Sequence, residues 1–169
     1  MKRILLAMAA LLATTLTMNA KHLLVFVGAY ASGPQQGISV YRMCGSSGSL
    51  TRLSVLGGQD NPSFVEAHPS GKYLYAVNEI GKFDDKKQGA VSAYAINAEK
   101  GELTLLNQQG SGGASPCHIS IDDAGRNVLV ANYGGGSVAC LQIGKDGKLS
   151  PATDFVQHKG SSVNERRQS

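Results

Sequence analysis

Pro62-Ser-Phe-Val-Glu-Ala-His-Pro-Ser-Gly-Lys-Tyr-Leu-Tyr-Ala-Val-Asn78 aligns without a gap on Pro116-Cys-His-Ile-Ser-Ile-Asp-Asp-Ala-Gly-Arg-Asn-Val-Leu-Val-Ala-Asn132, each position 54 residues from its counterpart. Pro62 meets Pro116, Gly71 meets Gly125, Lys72 meets Arg126 and Asn78 meets Asn132. The similarity runs on: Ala90-Val-Ser-Ala-Tyr94 matches Ser137-Val-Ala-Cys-Leu141, and each is followed by a turn, Glu99–Leu103 and Lys145–Leu149. The unit therefore reads strand, Gly turn, strand, loop, strand, Gly turn, strand. A period of about 50 residues with four short strands is the pattern of a propeller blade.

Burial explains the composition of these strands. A four-stranded sheet is stable when both faces are covered, and stacking blades around an axis covers both. Tyr73–Val77 and Val128–Ala131 are accordingly apolar almost throughout rather than alternating. Naming strands a to d from the axis outward, one blade is expected at 63–68, 72–78, 89–97 and 102–109, and the next at 117–122, 126–132, 136–143 and 148–157. The segment before them supplies b, c and d at 23–28, 37–43 and 50–56, with no strand a. The fold class is all-β: a β-propeller of four-stranded antiparallel blades, an incomplete ring of about two and three-quarter blades behind a leader, where a closed ring takes at least four. The domain plan is a leader at 1–20, blade segments at 21–58, 59–110 and 111–158, and a tail at 159–169.

The whole composition agrees. The chain has 169 residues, 21 of them Gly and none Trp, with 42% hydrophobic and 17% charged residues. Such a chain suits many short strands joined by Gly turns. The net charge of +4 owes part of its excess to Lys2-Arg3 and Arg166-Arg167. No run of basic residues and no basic–aromatic interleaving appears, so nucleic acid is not an expected partner.

Lys2-Arg3, the apolar run from Ile4 to Met18 and the small Ala20 read as a signal peptide. The run is shorter than the ~20 residues of a membrane span. An exported product, periplasmic or extracellular, with no membrane association beyond the leader is expected; an uncleaved anchor is the alternative. Cys44, Cys117 and Cys140 are odd in number and fit no zinc spacing. Three partly buried thiols are the plainer reading, with one disulfide the alternative.

Five stretches resemble a known family: Val27–Gly33, Asn61–Phe64 with His68–Glu79, Gly112–His118, Val130–Val138 and Phe155–Asn164. Together, from about Leu24 to Gln168, they are similar to the bacterial lactonase-type seven-bladed β-propellers, 6-phosphogluconolactonase-like and carboxymuconate-cyclase-like. The resemblance implies a lactone hydrolase that opens a sugar-acid lactone, with a small-molecule lactone as partner and no cofactor. A muconate-type lactonizing enzyme and a non-catalytic propeller that binds a protein or glycan are the competing readings. The chain departs from the family pattern at Glu165, where Pro is usual, and before the family's His-rich segment. The expectation is a truncated ring whose open edges invite self-association.

Antiparallel strands place the start of a and the end of b at one end of a propeller. That end gathers Asn61 and His118, then Asn78-Glu79 and Asn132-Tyr133, and is the expected ligand face. Lactone hydrolysis needs a group that activates water, a donor for the oxyanion and contacts that hold the substrate. His118 is the candidate base, because imidazole titrates near neutrality, and Glu79 the candidate base or orienting carboxylate. Asn61, Asn78, Asn132 and Tyr133 are candidate substrate contacts, as is Arg167 (or Arg166) for a carboxylate or phosphate. Each has a plainer alternative: His118 bonded to a loop carbonyl, Glu79 solvated, the two asparagines closing the loop after strand b, Tyr133 packed in its loop. His68, at the opposite end, reads as structural. Gly134-Gly135-Gly136 joins two strands with no helix behind it, so it is a tight connection and not a phosphate loop. No metal-ligand spacing is present.

Overall fold

The computed structural model describes residues 22–31, 33–161 and 163; residues 1–20, read as a signal peptide, and Arg166 and Arg167 lie outside them. Eleven strands run in order: β1 His22–Val27, β2 Gly37–Cys44, β3 Leu50–Gly57, β4 Val65–Ala67, β5 Tyr73–Asn78, β6 Ala90–Asn97, β7 Glu102–Gly110, β8 Pro116–Ile121, β9 Asn127–Asn132, β10 Ser137–Ile143 and β11 Leu149–Gln157. No helix occurs among the described residues, and none is long and apolar enough to cross a membrane. The strands form three antiparallel meanders, β1-β2-β3, β4-β5-β6-β7 and β8-β9-β10-β11. The all-β architecture of an open propeller expected from the repeat is what the chain forms.

The repeat holds in the register. Asn78 pairs with Ala90 and, one blade on, Asn132 pairs with Ser137. The a–b turns carry Gly71 (φ 68) and Gly125 (φ 65). A side chain in this left-handed region crowds the backbone, which is why Gly recurs there.

Strand a of the second sheet is shorter than the sequence pattern suggests. Pro62 has no N–H to give to a ladder. Asn61 turns to φ 42 and its carbonyl accepts from Ser63 N at 2.7 Å, so pairing begins only at Val65. The third sheet starts β9 at Asn127, one residue later than expected. The N–H groups of Arg126 and Asn127 are both held by Asp122 Oδ1, at 2.6 and 2.7 Å.

The second sheet is the filling of the stack. Alternate residues of β5 point to opposite neighbours. Leu74 and Ala76 join Tyr94 and Leu103 against Ile38 and Val40 of the first sheet. Tyr75 and Val77 join Val91 and Ala93 against Ile119, Val128, Val130, Ala139 and Leu141 of the third. Burying each of the larger apolar side chains is worth about 1.5–3 kcal/mol, so these two interfaces hold the blades together. Polar bonds set the spacing. Tyr75 Oη donates to Gly147 O at 2.9 Å, and Asn107 exchanges two bonds with the Leu149 backbone at 2.8 and 3.0 Å.

The third sheet differs from the expectation of a strand covered on both faces. Val128 and Val130 are buried, but Leu129 between them is 46% exposed. Its side chain points to the face turned away from the second sheet, and no described residue packs over that face as the second sheet packs over the other. The alternation in β9 is therefore set by which neighbour is present, not by residue type.

Candidate functional site

The 54-residue repeat builds the site end from matching stations. Asn61 and Ser115 each precede the proline that opens strand a, and both are left-handed, at φ 42 and 51. Such a conformation in a residue other than glycine costs of order 1 kcal/mol or more, and it recurs here at the same place in two blades. Its effect is to turn one carbonyl toward the end of strand b. Asn61 O accepts from Glu79 N at 3.0 Å, and Ser115 O accepts from Tyr133 N at 2.9 Å. Glu79 and Tyr133 are thus displayed at equivalent positions, and Ser115 N donates to Ile80 O at 2.9 Å to link the two blades.

Glu79 sits at the centre of this end. Tyr30 Oη donates to its Oε2 at 2.7 Å and Ser63 Oγ donates to the same oxygen at 2.6 Å. Oε1 receives no protein donor among the described residues. The Asn61 amide is spent on the turn, with Nδ2 donating to Glu79 O at 3.3 Å. The bond to Glu79, with burial and the carboxylate charge behind it, holds the Tyr30 phenol above its usual titration range. The first sheet supplies Tyr30 and the second supplies Ser63 and Glu79, so the carboxylate is a junction between blades.

His118 lies on β8, exposed, with its ring 4.5 Å from that of Phe64 and tilted by 47°. Phe64 occupies the same repeat station one blade earlier. The imidazole is therefore seated by a ring contact rather than by the carbonyl bond that was the plainer expectation for it. Tyr133 is 68% exposed and is not packed in its loop.

The structure separates the remaining candidates from the exposed end that holds Glu79, His118 and Tyr133. Asn78 and Asn132 are interior, at 1% and 2% exposure, and their amides bond inside the blades. Asn78 Nδ2 donates to Asp60 O at 2.9 Å, and its Oδ1 accepts from Ser92 Oγ at 2.6 Å. Asn132 Nδ2 donates to Ser111 O at 2.9 Å. A polar side chain ending strand b at the interior position is drawn inward to cap carbonyls that would otherwise be buried without donors, so the substrate-contact reading of these two gives way to loop closure. Arg167 lies outside the described residues. His68 is structural, as expected. Ser70 N donates to its Nδ1 at 3.1 Å, so Nε2 carries the proton and donates to Gly125 O at 2.9 Å.

Sequence reasoning passed over Tyr30, Ser63 and Phe64, although all three lie in the family-like stretches. Their roles come from contacts between blades, which the repeat alone does not reveal. A cleft of about 550 Å³ lies elsewhere, between β7, β11 and the loop after β5, and is lined by Phe83, Lys86, Gln88, Gln108, Gln109 and Pro151. Its lining includes none of Tyr30, Ser63, Glu79 or His118. The site is assigned by its chemistry rather than by enclosed volume. Cys44, Cys117 and Cys140 are free thiols, each partly buried.

The comparisons with known proteins agree with the fold. A 6-phosphogluconolactonase of Bacillus subtilis is 34% identical over 143 residues, which is 85% of this chain and 40% of the relative. A crystal structure ascribed to a 6-phosphogluconolactonase of Bacteroides fragilis superposes with a TM-score of 0.79 at 40% identity, covering 90% of this chain and 41% of that one. The periplasmic gluconolactonase of Pseudomonas aeruginosa gives a TM-score of 0.75 at 33% identity, over 86% and 41% of the two chains. The chain thus spans about two-fifths of the length of the relatives it matches. The family model described as lactonase, 7-bladed beta-propeller, matches residues 24–169, and with the repeated blades and these relatives it places the chain in that lactonase family.

Proposed function

We propose that this chain contributes part of the active-site end of a lactonase that opens a sugar-acid lactone by attack of water. The observation that carries the reading is the presence at one end of the blades of an exposed imidazole, His118 on Phe64, and a carboxylate, Glu79, whose one oxygen is fixed by two hydroxyls while the other takes no protein donor among the described residues. In the reaction a water oxygen adds to the lactone carbonyl as His118 takes its proton. The ring C–O bond then breaks, the ring oxygen leaves as an alcohol that takes up a proton, and the carbonyl carbon becomes a carboxylate. A positioned general base of this kind contributes about 10²–10⁴-fold. Glu79 Oε1 accepts from a substrate hydroxyl and orients the ring, and the exposed Tyr133 lines the same end. Asn61 serves the site through its backbone turn.

The signal-peptide reading of residues 1–20 and the likeness to a periplasmic gluconolactonase support export and an unphosphorylated lactone as substrate. The test is acid release from glucono-1,5-lactone by the purified chain, measured in a pH-stat against spontaneous hydrolysis. A rate above background that falls at least about tenfold in His118→Ala and is reduced in Glu79→Gln supports the reading. A background rate for the unaltered chain, or unaltered rates in both variants, overturns it.

A further inference from the structure

Tyr30 is 72% exposed, yet it is not a free surface side chain. Its hydroxyl is anchored on Glu79 Oε2 at 2.7 Å, a charge-assisted bond stronger than one between neutral groups. The result is a flat apolar ring held in one orientation with most of its surface open.

The simplest account of that bond is a staple between the first two blades. The backbone already makes the staple on both sides of Tyr30: Ala29 N donates to Pro62 O at 3.0 Å, and Asn61 N donates to Ala31 O at 2.9 Å. Joining the blades therefore does not call for the phenol, and it does not account for a ring left open to solvent. A ring fixed before a ligand arrives loses little side-chain entropy on binding, and Tyr has few torsions to lose. Sugar rings present C–H faces that cover an aromatic ring and hydroxyls that need acceptors. Tyr30 offers the first kind of surface, and the free Oε1 of the carboxylate that anchors it offers the second.

We propose that Tyr30 is a ligand-contacting residue that stacks on the ring of a sugar-acid ligand whose hydroxyl bonds to Glu79. The proposal rests on the site reading above and names a binding residue which that reading does not require. The hydroxyl bond aims the ring, and the ring covers the C–H face of the ligand. Tyr133, at the Glu79 station of the next blade and also exposed, bounds the same end through the Ile80–Ser115–Tyr133 backbone bonds.

The test is binding of D-gluconate to the full chain, by calorimetry, for the unaltered protein and for Tyr30→Ala, Tyr30→Phe and Glu79→Gln, with thermal melts of each. Tyr30→Ala is expected to weaken binding about tenfold with an unchanged melt, because the Ala29 and Ala31 backbone bonds persist. Tyr30→Phe, which keeps the ring and frees it to rotate, should fall between. A tyrosine ultraviolet difference spectrum on adding gluconate should be present in the unaltered protein and smaller in Tyr30→Phe, a readout that does not depend on the alanine variant folding. Weakened binding in Glu79→Gln with unaltered binding in both Tyr30 variants overturns this proposal alone. No binding by the unaltered chain, or unaltered binding in Glu79→Gln, overturns the site reading and this proposal with it.

Discussion

Asn78 and Asn132 end the second strand of consecutive blades, yet only Asn78 has its side-chain oxygen satisfied. Asn78 Oδ1 accepts from Ser92 Oγ at 2.6 Å and from Gln108 Nε2 at 3.3 Å. Asn132 Oδ1 is buried with no protein partner among the described residues. The register explains the difference. Ser92 pairs with Ala76 and Gln108, and the same positions one blade on are Ala139, paired with Val130 and Phe155. Both donors have been replaced by apolar groups. A buried carbonyl without a donor costs about 1–3 kcal/mol. Ala139→Ser should return one donor in a geometry the preceding blade already uses, and stabilise the chain by about 1 kcal/mol, raising the melting temperature by about 2–4 °C. Ser92→Ala should lower it by a similar amount. A lower melting temperature for Ala139→Ser would show that the third sheet has no room for the hydroxyl.

His68 joins the a–b turns of two blades at the end opposite Glu79. Its protonated Nε2 donates to Gly125 O at 2.9 Å while Nδ1 accepts from Ser70 N, and its ring meets that of Tyr73 edge-on at 5.8 Å. His68→Ala removes the bridge and the ring contact together, and is expected to cost about 1–2 kcal/mol. The proposed lactone hydrolysis, measured per folded molecule, should not change, since no group at the Glu79 end is touched. Denaturant unfolding and the pH-stat assay check the two halves separately.

Two buried tyrosines make the fold sensitive to alkali. Burial first, then the neighbouring Tyr73 and Asp146, push the Tyr75 hydroxyl far above its ordinary value of 10.0. Burial also raises the Tyr94 hydroxyl above its ordinary value. Both phenols are ionised less readily folded than unfolded, so the unfolded chain releases protons first as pH rises. Their contribution to stability is whole below pH 10 and is lost progressively above it, toward the raised folded values. Stability should therefore decline above pH 10, and less steeply in Tyr75→Phe. Phenolate absorbance from these two should appear only with unfolding. Ionisation of all six tyrosines in the folded chain would contradict this.

The blade architecture was legible because each blade repeats the same physical problem. Asn61 with Ser115, Phe64 with His118, Glu79 with Tyr133 and Asn78 with Asn132 share stations in the alignment, and the structure gives Asn61 with Ser115 and Glu79 with Tyr133 matching backbone bonds. What the alignment concealed depends on neighbours rather than on stations. Tyr30 acts across a blade boundary on Glu79, and Leu129 is exposed because its face lacks a packed sheet. Asn78 and Asn132 look like polar groups at the ligand end, but the last pleat of the strand turns them inward. His118 was legible as a polar residue at the Glu79 end; its seat on Phe64 was not, because aromatic contact between stations 54 residues apart leaves no local pattern.

Cys44 ends β2 and begins the Gly45–Ser49 turn. Its Sγ lies 3.1 Å from Ser46 Oγ. The Ser46 hydroxyl, then the Ser47 hydroxyl and the backbone N–H groups of both, lower the thiol to about 6, which leaves it largely thiolate at neutral pH. A thiolate is the nucleophilic form of cysteine, so Cys44 should be alkylated before Cys117 and Cys140, although all three are partly buried. The rate should fall as pH drops through about 6 and should be slower at neutral pH in Ser46→Ala, where the first of the donors is gone. Peptide mass spectrometry after brief iodoacetamide treatment reads all three sites at once. Equal labelling of the three, or a Ser46→Ala rate equal to that of the unaltered chain, would show that the turn does not activate the thiol.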